Sequence, residues 1–208
     1  MKVIALDIAK TATGWAVGTG GGGWFAGVLK CPILPPVGLD RNDISADYSG
    51  EVADWFRMEL LRIIVKYRPE RAAIEKPLPG NITAKRMIRS PVSEFWGERV
   101  VKAEIGATAY PTTHFLHGLA MEAASLFHRR GIPCQYVAAQ TWRKVVGIGR
   151  PPKSVANSRS WYKRQAIEQC LMRGMNFSQP DMAEAVLIGI WALASAGYDE
   201  KVRIGQLV

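Results

Sequence analysis

The chain has 208 residues, with 27 Lys and Arg against 18 Asp and Glu, and a formal net charge of +9 at pH 7. Hydrophobic residues make up 48% of it and charged residues 22%, values that fit a globular chain with a buried core and exclude intrinsic disorder. The uncharged run at residues 185–198 is shorter than the roughly 20 apolar residues that a bilayer span needs. The three cysteines, Cys31, Cys134 and Cys170, form no CxxC pair, which favours a reducing compartment and a cytoplasmic protein with no membrane association.

The positive charge is unevenly distributed along the chain. A basic soluble surface would explain the charge alone, but clustering favours a nucleic-acid partner, because each cation that neutralises a phosphate releases a counterion. One basic stretch contains Lys85, Arg86, Arg89, Arg99 and Lys102. A second contains Arg143, Lys144, Arg150, Lys153, Arg159, Lys163 and Arg164.

The N-terminal third predicts three strands followed by a helix. Short apolar runs separated by glycines predict strands at 2–8, 14–18 and 24–29 in an antiparallel meander, since Gly accepts the positive φ of hairpin turns. Apolar residues at spacings of three and four then predict a helix at 48–67, which Pro69 ends. Residues 71–75 predict a fourth strand.

Residues 77–111 are polar, basic and interrupted by Pro and Gly, so we expect an excursion from the core, with a short helix compatible with the pattern. Beyond it the sequence predicts a helix at 113–130, a strand at 135–139, and helices at 141–146, 159–173 and 181–196. This element order is typical of an α/β ribonuclease H-like fold, a mixed five-stranded sheet flanked by helices. We expect residues 1–208 to form a single domain.

Four acidic residues stand out from the pattern. Asp7 lies near the end of the first strand, where a turn or the phosphate loop of a two-domain kinase would also place an Asp, although 208 residues are too few for two such domains. Glu75 ends the fourth strand and also fits a surface glutamate. Asp181 in a first helical turn fits a role in complementing the helix dipole. Glu184, however, is the only charge in residues 182–194, an otherwise apolar stretch of the same helix.

A buried, unpaired carboxylate at Glu184 would be costly, and its spacing of three places it on the same helix face as Asp181. Two strand-end acids and a helical pair form an oxygen ligand set that suits Mg²⁺ or Mn²⁺. Two such ions can activate water and stabilise the leaving oxygen of a phosphodiester, which beside a basic surface predicts a nuclease. His114 and His117 lack a third nearby ligand, and we interpret them as ordinary helix residues.

Four segments of the chain carry a resemblance to a known family: Ile-Ala-Leu-Asp-Ile at 4–8 with Thr-Gly-Trp-Ala-Val at 13–17, Ala-Ile-Glu-Lys-Pro at 73–77, Val-Val-Gly-Ile-Gly at 145–149 with Lys153, and Asp-Met-Ala-Glu-Ala at 181–185. In these segments the sequence resembles the RuvC family of Holliday junction resolvases, and the resemblance covers about residues 1–196. It implies that Asp7, Glu75, Asp181 and Glu184 are catalytic metal ligands and that Lys153 lies near the scissile phosphate. It also implies a homodimer that cuts symmetric strands of a four-way DNA junction.

On this basis we expect about two ions per site. Asp7 would bridge them, Glu75 and Asp181 would each hold one, and Glu184 would complete the site or orient water. The expected DNA contacts are Lys85, Arg86, Arg89, Arg99, Lys102, Arg143, Lys144 and Lys153. Flaps, other branched DNA or RNA–DNA hybrids as substrates, and a branched-DNA-binding module without catalysis, are the alternatives.

The sequence departs from the family pattern in three places. The basic excursion is longer than in the bacterial enzymes, and Glu184 replaces the family's second Asp. Leu78 stands where an aromatic wedge into the junction is expected, so Phe95 or Trp96 is the candidate for stacking on bases, with packing inside the excursion as the alternative. These departures suggest a divergent, phage-type member.

Overall fold

The computed structural model describes residues 1–9, 12–21, 23–33, 45–77, 84–88, 101–105 and 110–205. For 84–88, 101–105, 110–111 and 198–205 the description covers the backbone. Leu78, Arg89, Phe95, Trp96 and Arg99, which the sequence singled out, lie outside the described residues.

A mixed five-stranded sheet forms the centre of the fold, with strand order β3-β2-β1-β4-β7. Strands β1 (Lys2–Ile8), β2 (Ala12–Thr19) and β3 (Phe25–Lys30) form an antiparallel meander. Strand β4 (Arg71–Glu75) pairs in parallel with β1, and β7 (Cys134–Val137) pairs in parallel with β4. The predicted five strands and their order in the chain are confirmed.

Within the described ranges, five helices connect and flank these strands. They are α1 (Ala46–Tyr67), α2 (Tyr110–Arg129), α3 (Ala139–Val145), α4 (Ser158–Leu171) and α5 (Pro180–Gly205). The Ser45 side chain caps α1 by accepting a hydrogen bond from the Tyr48 backbone N–H, as serine does at helix starts. Helix α5 runs past residue 196, the predicted end. The prediction stopped there because the apolar pattern ends, but the helical backbone continues to Gly205.

The hydrophobic interior consists of two clusters, one on each face of the sheet, and successive side chains of β1 alternate between them. Ile4, Leu6 and Ile8 belong to the cluster that includes α1 and α2. Val3 and Ala5 belong to the cluster formed with α3, α4 and α5. Because successive side chains of a strand point to opposite faces, Asp7 falls on the α5 side of the sheet.

The described part of the excursion is a two-stranded antiparallel ribbon, β5 (Ala84–Ile88) and β6 (Val101–Ile105), and not a short helix. Lys85 is paired with Glu104, and Met87 with Lys102. The second segment, Val-Lys-Ala-Glu-Ile, alternates apolar and polar residues, a pattern with a period of two that favours a strand over a helix. The ribbon is a separate sheet from the five-stranded one.

Candidate active site

The two strand-end acids face the same side of the sheet because their strands are paired in parallel and in register. Ala5 is opposite Ala73 and Leu6 is opposite Ile74, so Asp7 and Glu75 end neighbouring strands at one edge. Ala73 belongs to the α5-side cluster, and alternation therefore places Glu75 on that side as well. The sheet alone thus brings together two acids that are far apart in sequence.

Helix α5 delivers the other two acids through close contact with β2. Gly14 is the register partner of Asp7, and a Cβ built on Gly14 would lie 2.0 Å from the backbone oxygen of Asp181. Only glycine leaves room for the helix start at this point, since real Cβ atoms never approach that closely. The first turn of α5 therefore lies directly over the end of β1.

A second glycine contact holds α5 two turns further along. A Cβ on Gly189 would lie 2.4 Å from the ring of Trp24, and one on Gly18 would also lie 2.4 Å from it. The indole thus fills a slot between strand β2 and the helix. With its axis held at Gly14 and at Gly189, α5 presents Asp181 and Glu184 to the sheet edge in a defined position.

Asp7, Asp181 and Glu184 come together in one cluster. Each offers a carboxylate oxygen, and these oxygens all lie within 4.8 Å of one another. Glu184 is 6% exposed, while Asp7 and Asp181 are partly buried. Three hard oxygen donors at this separation suit a divalent cation such as Mg²⁺ or Mn²⁺.

Glu75 lies in the same cleft but is held separately by the indole of Trp142, whose Nε1–H donates to Glu75 Oε2 at 2.7 Å. Trp142 is fully buried in the α5-side cluster, so this hydrogen bond holds the Glu75 carboxylate from the hydrophobic core. Of the four acids predicted from sequence, the structure therefore places three in one cluster and the fourth beside it.

The acids line a cleft of about 470 Å³ whose other wall is basic and aromatic. That wall comes from α3 and from the first two turns of α4. Its residues include Arg143, Ser158, Arg159, Tyr162 and Lys163. Acidic and basic side chains thus line one and the same cleft.

Two cations pair directly with the acid cluster. Lys163 Nζ donates to Asp181 Oδ1 at 2.7 Å, and an Arg143 Nη lies 3.4 Å from Glu184 Oε1. The guanidinium of Arg143 also lies over two rings, 4.1 Å from the centroid of Tyr162 and 5.1 Å from that of Trp142. Its Nε is buried without a hydrogen-bond partner among the described residues. Arg143 is therefore fixed by stacking, whereas Lys163 is held by its ion pair.

Burial and mutual repulsion disfavour charge on three of the acids. Burial, then the charges of Glu184, Glu75 and Asp181, raise the pKa of Asp7 well above its ordinary value. Burial likewise raises the pKa of Glu75 and of Glu184, against the lowering effects of Trp142 on Glu75 and of Arg143 on both. A divalent cation would reverse this penalty, since an opposite charge favours the ionised carboxylate. The donor set therefore fits a divalent metal.

The basic residues predicted to bind DNA have different positions. Arg143 lines the cleft, and Lys144 is exposed on the same helix. Lys153 is exposed in the segment before α4 and does not line the cleft. Lys85, Arg86 and Lys102 lie on the β5–β6 ribbon. Their contact with DNA stays a prediction.

Sequence reasoning missed two residues that contact the acids. Trp142 lies in the helix predicted at 141–146 and was not singled out, and its hydrogen bond to Glu75 spans 67 positions. Lys163 was one cation among several in a basic stretch. The one local signal was the i, i+4 spacing of Arg159 and Lys163, which places both on one face of α4.

Outside this cleft, His114 and His117 line a separate cavity of about 560 Å³ between α1 and α2. The only cluster of metal-ligating side chains within the described residues is that of Asp7, Asp181 and Glu184. Across that same described portion, none of the helices is both long and apolar enough to span a membrane.

Comparison with known proteins supports the fold. The structure of T. thermophilus RuvC in complex with a Holliday junction substrate matches with a TM-score of 0.58 and 12% identity, covering 97% of this chain and 96% of that one. A further Thermus thermophilus RuvC structure matches with a TM-score of 0.55 and 14% identity over 99% and 97% of the two chains. No protein-family model and no curated protein matches the sequence. The chain thus has the ribonuclease H-like α/β fold of RuvC, as the sequence resemblance predicted.

Proposed function

We propose that this protein is a divalent-metal-dependent endonuclease that resolves four-way DNA junctions by paired phosphodiester hydrolysis. The observation that carries the proposal is the cluster of Asp7, Asp181 and Glu184, with oxygens within 4.8 Å, which Arg143 and Lys163 contact in the same cleft. Such a site combines ligands for a metal with cations for a phosphate. The parallel pairing of β1 with β4, which brings Asp7 and Glu75 to one edge of the sheet beside this cleft, supports the proposal.

Asp7, Asp181 and Glu184 would hold the metal, Mg²⁺ or Mn²⁺, and Glu75 would contribute to a second ion. When bound, such ions supply an activated water and stabilise the leaving oxygen of a phosphodiester. Trp142 orients Glu75 through its N–H, so that one carboxylate oxygen stays available to the cleft. Glu184, buried and next to Arg143, keeps a fixed position beside Asp181.

The chain's own cations would bind and orient the substrate. Arg143 and Arg159 line the cleft and would contact backbone phosphates, which sets register without reading bases. Lys144, Lys153 and the ribbon residues Lys85, Arg86 and Lys102 would extend this contact along the DNA arms, together with Arg89 and Arg99. A fixed guanidinium in the cleft also stabilises charge that develops at the phosphate.

The substrate assignment rests on the fold. T. thermophilus RuvC, which shares it, has been solved with a Holliday junction substrate. Two copies of this chain would be needed to nick two symmetric strands, so the proposal includes a homodimer acting in the cytoplasm of a bacterial cell or encoded by a phage. Flaps or RNA–DNA hybrids as substrates, or binding without cutting, are outcomes that the same experiment distinguishes.

The test is incubation of the protein with an end-labelled four-way junction and Mg²⁺ or Mn²⁺, beside matched duplex, flap and hybrid substrates. Asp7→Asn removes one ligand, and Asp54→Asn makes the same chemical change at an exposed position of α1. We expect paired symmetric nicks from the wild type and Asp54→Asn, and binding without cutting from Asp7→Asn. If a flap or hybrid is cut as well as the four-way junction, the assignment of the junction as the substrate is wrong. Binding without cutting in every variant would refute catalysis.

A further inference from the structure

The ammonium of Lys163 lies among the same carboxylates that form the candidate metal site. It is 2.7 Å from Asp181 Oδ1, and its charge also acts on Asp7 and Glu184, lowering the pKa of each. These are the three residues whose oxygens cluster within 4.8 Å. A single protein cation therefore acts electrostatically on the complete ligand set.

Lys163 and Arg143 differ in how firmly they are held. Arg143 stacks on Tyr162 and Trp142, and its side chain is 19% exposed. Lys163 has a flexible four-carbon stem, and its side chain is 30% exposed at the cleft wall. If a divalent ion binds the three carboxylates, Lys163 is the cation whose side chain is free to move away from them.

We propose that Lys163 is a built-in competitor of the divalent metal: its ammonium neutralises the carboxylate cluster in the metal-free protein and is displaced from Asp181 when the ion binds. This inference rests on the metal site of the proposed function. Two cations cannot share the same carboxylate oxygens without strong repulsion, because like charges a few ångströms apart repel each other more strongly in a partly buried site than in water. Lys163 thus acts as a positioning residue for Asp181 until the ion replaces it.

Removing the charge of Lys163 should change the affinity of the acid cluster for a divalent metal, and the direction of that change tests the proposal. Lys163→Met, in the protein without DNA, should bind Mn²⁺ about tenfold more tightly than the wild type, measured as free Mn²⁺ by electron paramagnetic resonance. Lys163→Arg keeps the charge and should bind Mn²⁺ like the wild type. Lys66→Met makes the same charge change at the exposed end of α1 and should also leave the affinity unchanged.

The opposite results separate failure of this inference from failure of the proposed function. Equal or weaker Mn²⁺ binding by Lys163→Met would show that the lysine supports the site without competing for it, and would overturn the inference. Absence of Mn²⁺ binding by both the wild type and Lys163→Met would overturn the metal site itself. Circular dichroism and thermal unfolding confirm that each variant is folded before its affinity is compared.

A second measurement needs no variant. Acetylation of lysines by acetic anhydride, followed residue by residue with peptide mass spectrometry, compares Lys163 with Lys66 in EDTA and in saturating Mg²⁺. Release from Asp181 should make Lys163 react several-fold faster with Mg²⁺, while Lys66 keeps its rate. An unchanged or slower rate at Lys163 would contradict displacement.

Discussion

Asp7, Glu75 and Glu184 each have a pKa above the ordinary value, chiefly because they are buried. In the metal-free protein each therefore keeps its proton at a pH where the unfolded chain has already lost it. The folded state then binds more protons than the unfolded state, so the free energy of unfolding falls as pH rises from the ordinary values, 3.8 for Asp and 4.5 for Glu, through the raised ones. The site is a source of instability until a cation enters it.

Replacing Asp7 by Asn should remove much of this instability. In EDTA at neutral pH we expect Asp7→Asn to be more stable than the wild type by about 1–3 kcal/mol, because an uncharged amide needs no counter-charge. The difference should shrink towards the ordinary Asp value of 3.8, where both proteins are uncharged at this position. Urea denaturation across the pH range measures it, with Asp54→Asn as the control. A less stable Asp7→Asn at neutral pH would contradict the argument.

Trp142 is the second residue with a measurable role. Trp142→Phe keeps an aromatic ring in the core but removes the N–H that donates to Glu75. We expect a loss of roughly 1–3 kcal/mol in stability, since a buried carboxylate loses its donor. The pKa of Glu75 should rise further, so the acid limb of the cleavage rate against pH should move to higher pH.

The matched control for this substitution is Trp55→Phe on α1, outside the cleft, which should leave the pH dependence of cleavage unchanged. If Trp142→Phe loses stability without moving the acid limb, the indole serves packing and does not set the ionisation of Glu75.

At the scale of elements, the site depends on how closely α5 approaches the sheet. Gly14 and Gly189 have no side chain at two contact points. Gly14 lies against the backbone of Asp181, and Gly189 lies against the ring of Trp24. Ala5, Ala16 and Ala73 on the same face of the sheet also have short side chains, which lets the helix pack close to the strands. The small residues therefore decide the distance between the strand-end acids and the helical pair.

Gly14→Ala tests this dependence. Its methyl group would overlap the Asp181 carbonyl, so the start of α5 must move, and we expect cleavage to fall at least tenfold and Mn²⁺ affinity to weaken. Gly50→Ala, in α1 with nothing within 4 Å of the new methyl group, should keep activity and gain about 0.5–1 kcal/mol of stability. Wild-type Mn²⁺ affinity in Gly14→Ala would show that the helix position is not what sets the site.

At the scale of the whole molecule, a net charge of +9 predicts salt-sensitive DNA binding. The logarithm of junction affinity should fall linearly with the logarithm of salt concentration, measured by fluorescence anisotropy. Arg159→Ala, at the exposed rim of the cleft, should reduce that slope by about 0.9, the contribution of one phosphate contact. Glu51→Gln, an exposed acid on α1, should leave the slope within error. An unchanged slope in Arg159→Ala would remove this residue from the DNA-binding surface.

The element order could be predicted because periodicity and turn residues are local signals. The ribbon of β5 and β6 was missed because each strand is five residues long and lies in a polar segment broken by Pro and Gly. Strand-end acids were predictable for a similar reason, since a charge that ends an apolar run is visible in the sequence.

Contacts between elements could not be predicted in the same way. The pairing of Lys163 with Asp181 depends on how α4 packs beside α5, and the family resemblance pointed instead to Lys153. The indole of Trp142 reaches Glu75 only because α3 packs under the end of β4. The close approach at Gly14 likewise follows from tertiary packing and leaves no mark of its own on the spacing of residues.

The acids of the cleft lie far apart in the sequence, at positions 7, 75, 181 and 184. During synthesis, the two strand-end acids are therefore made more than a hundred residues before the helical pair, and α5 must leave the exit tunnel before its carboxylates can dock on β2. A polypeptide that ends before residue 181 would contain the two strand-end acids without the helical pair. Such a shortened polypeptide would lack the ligand set on which the proposed cleavage depends.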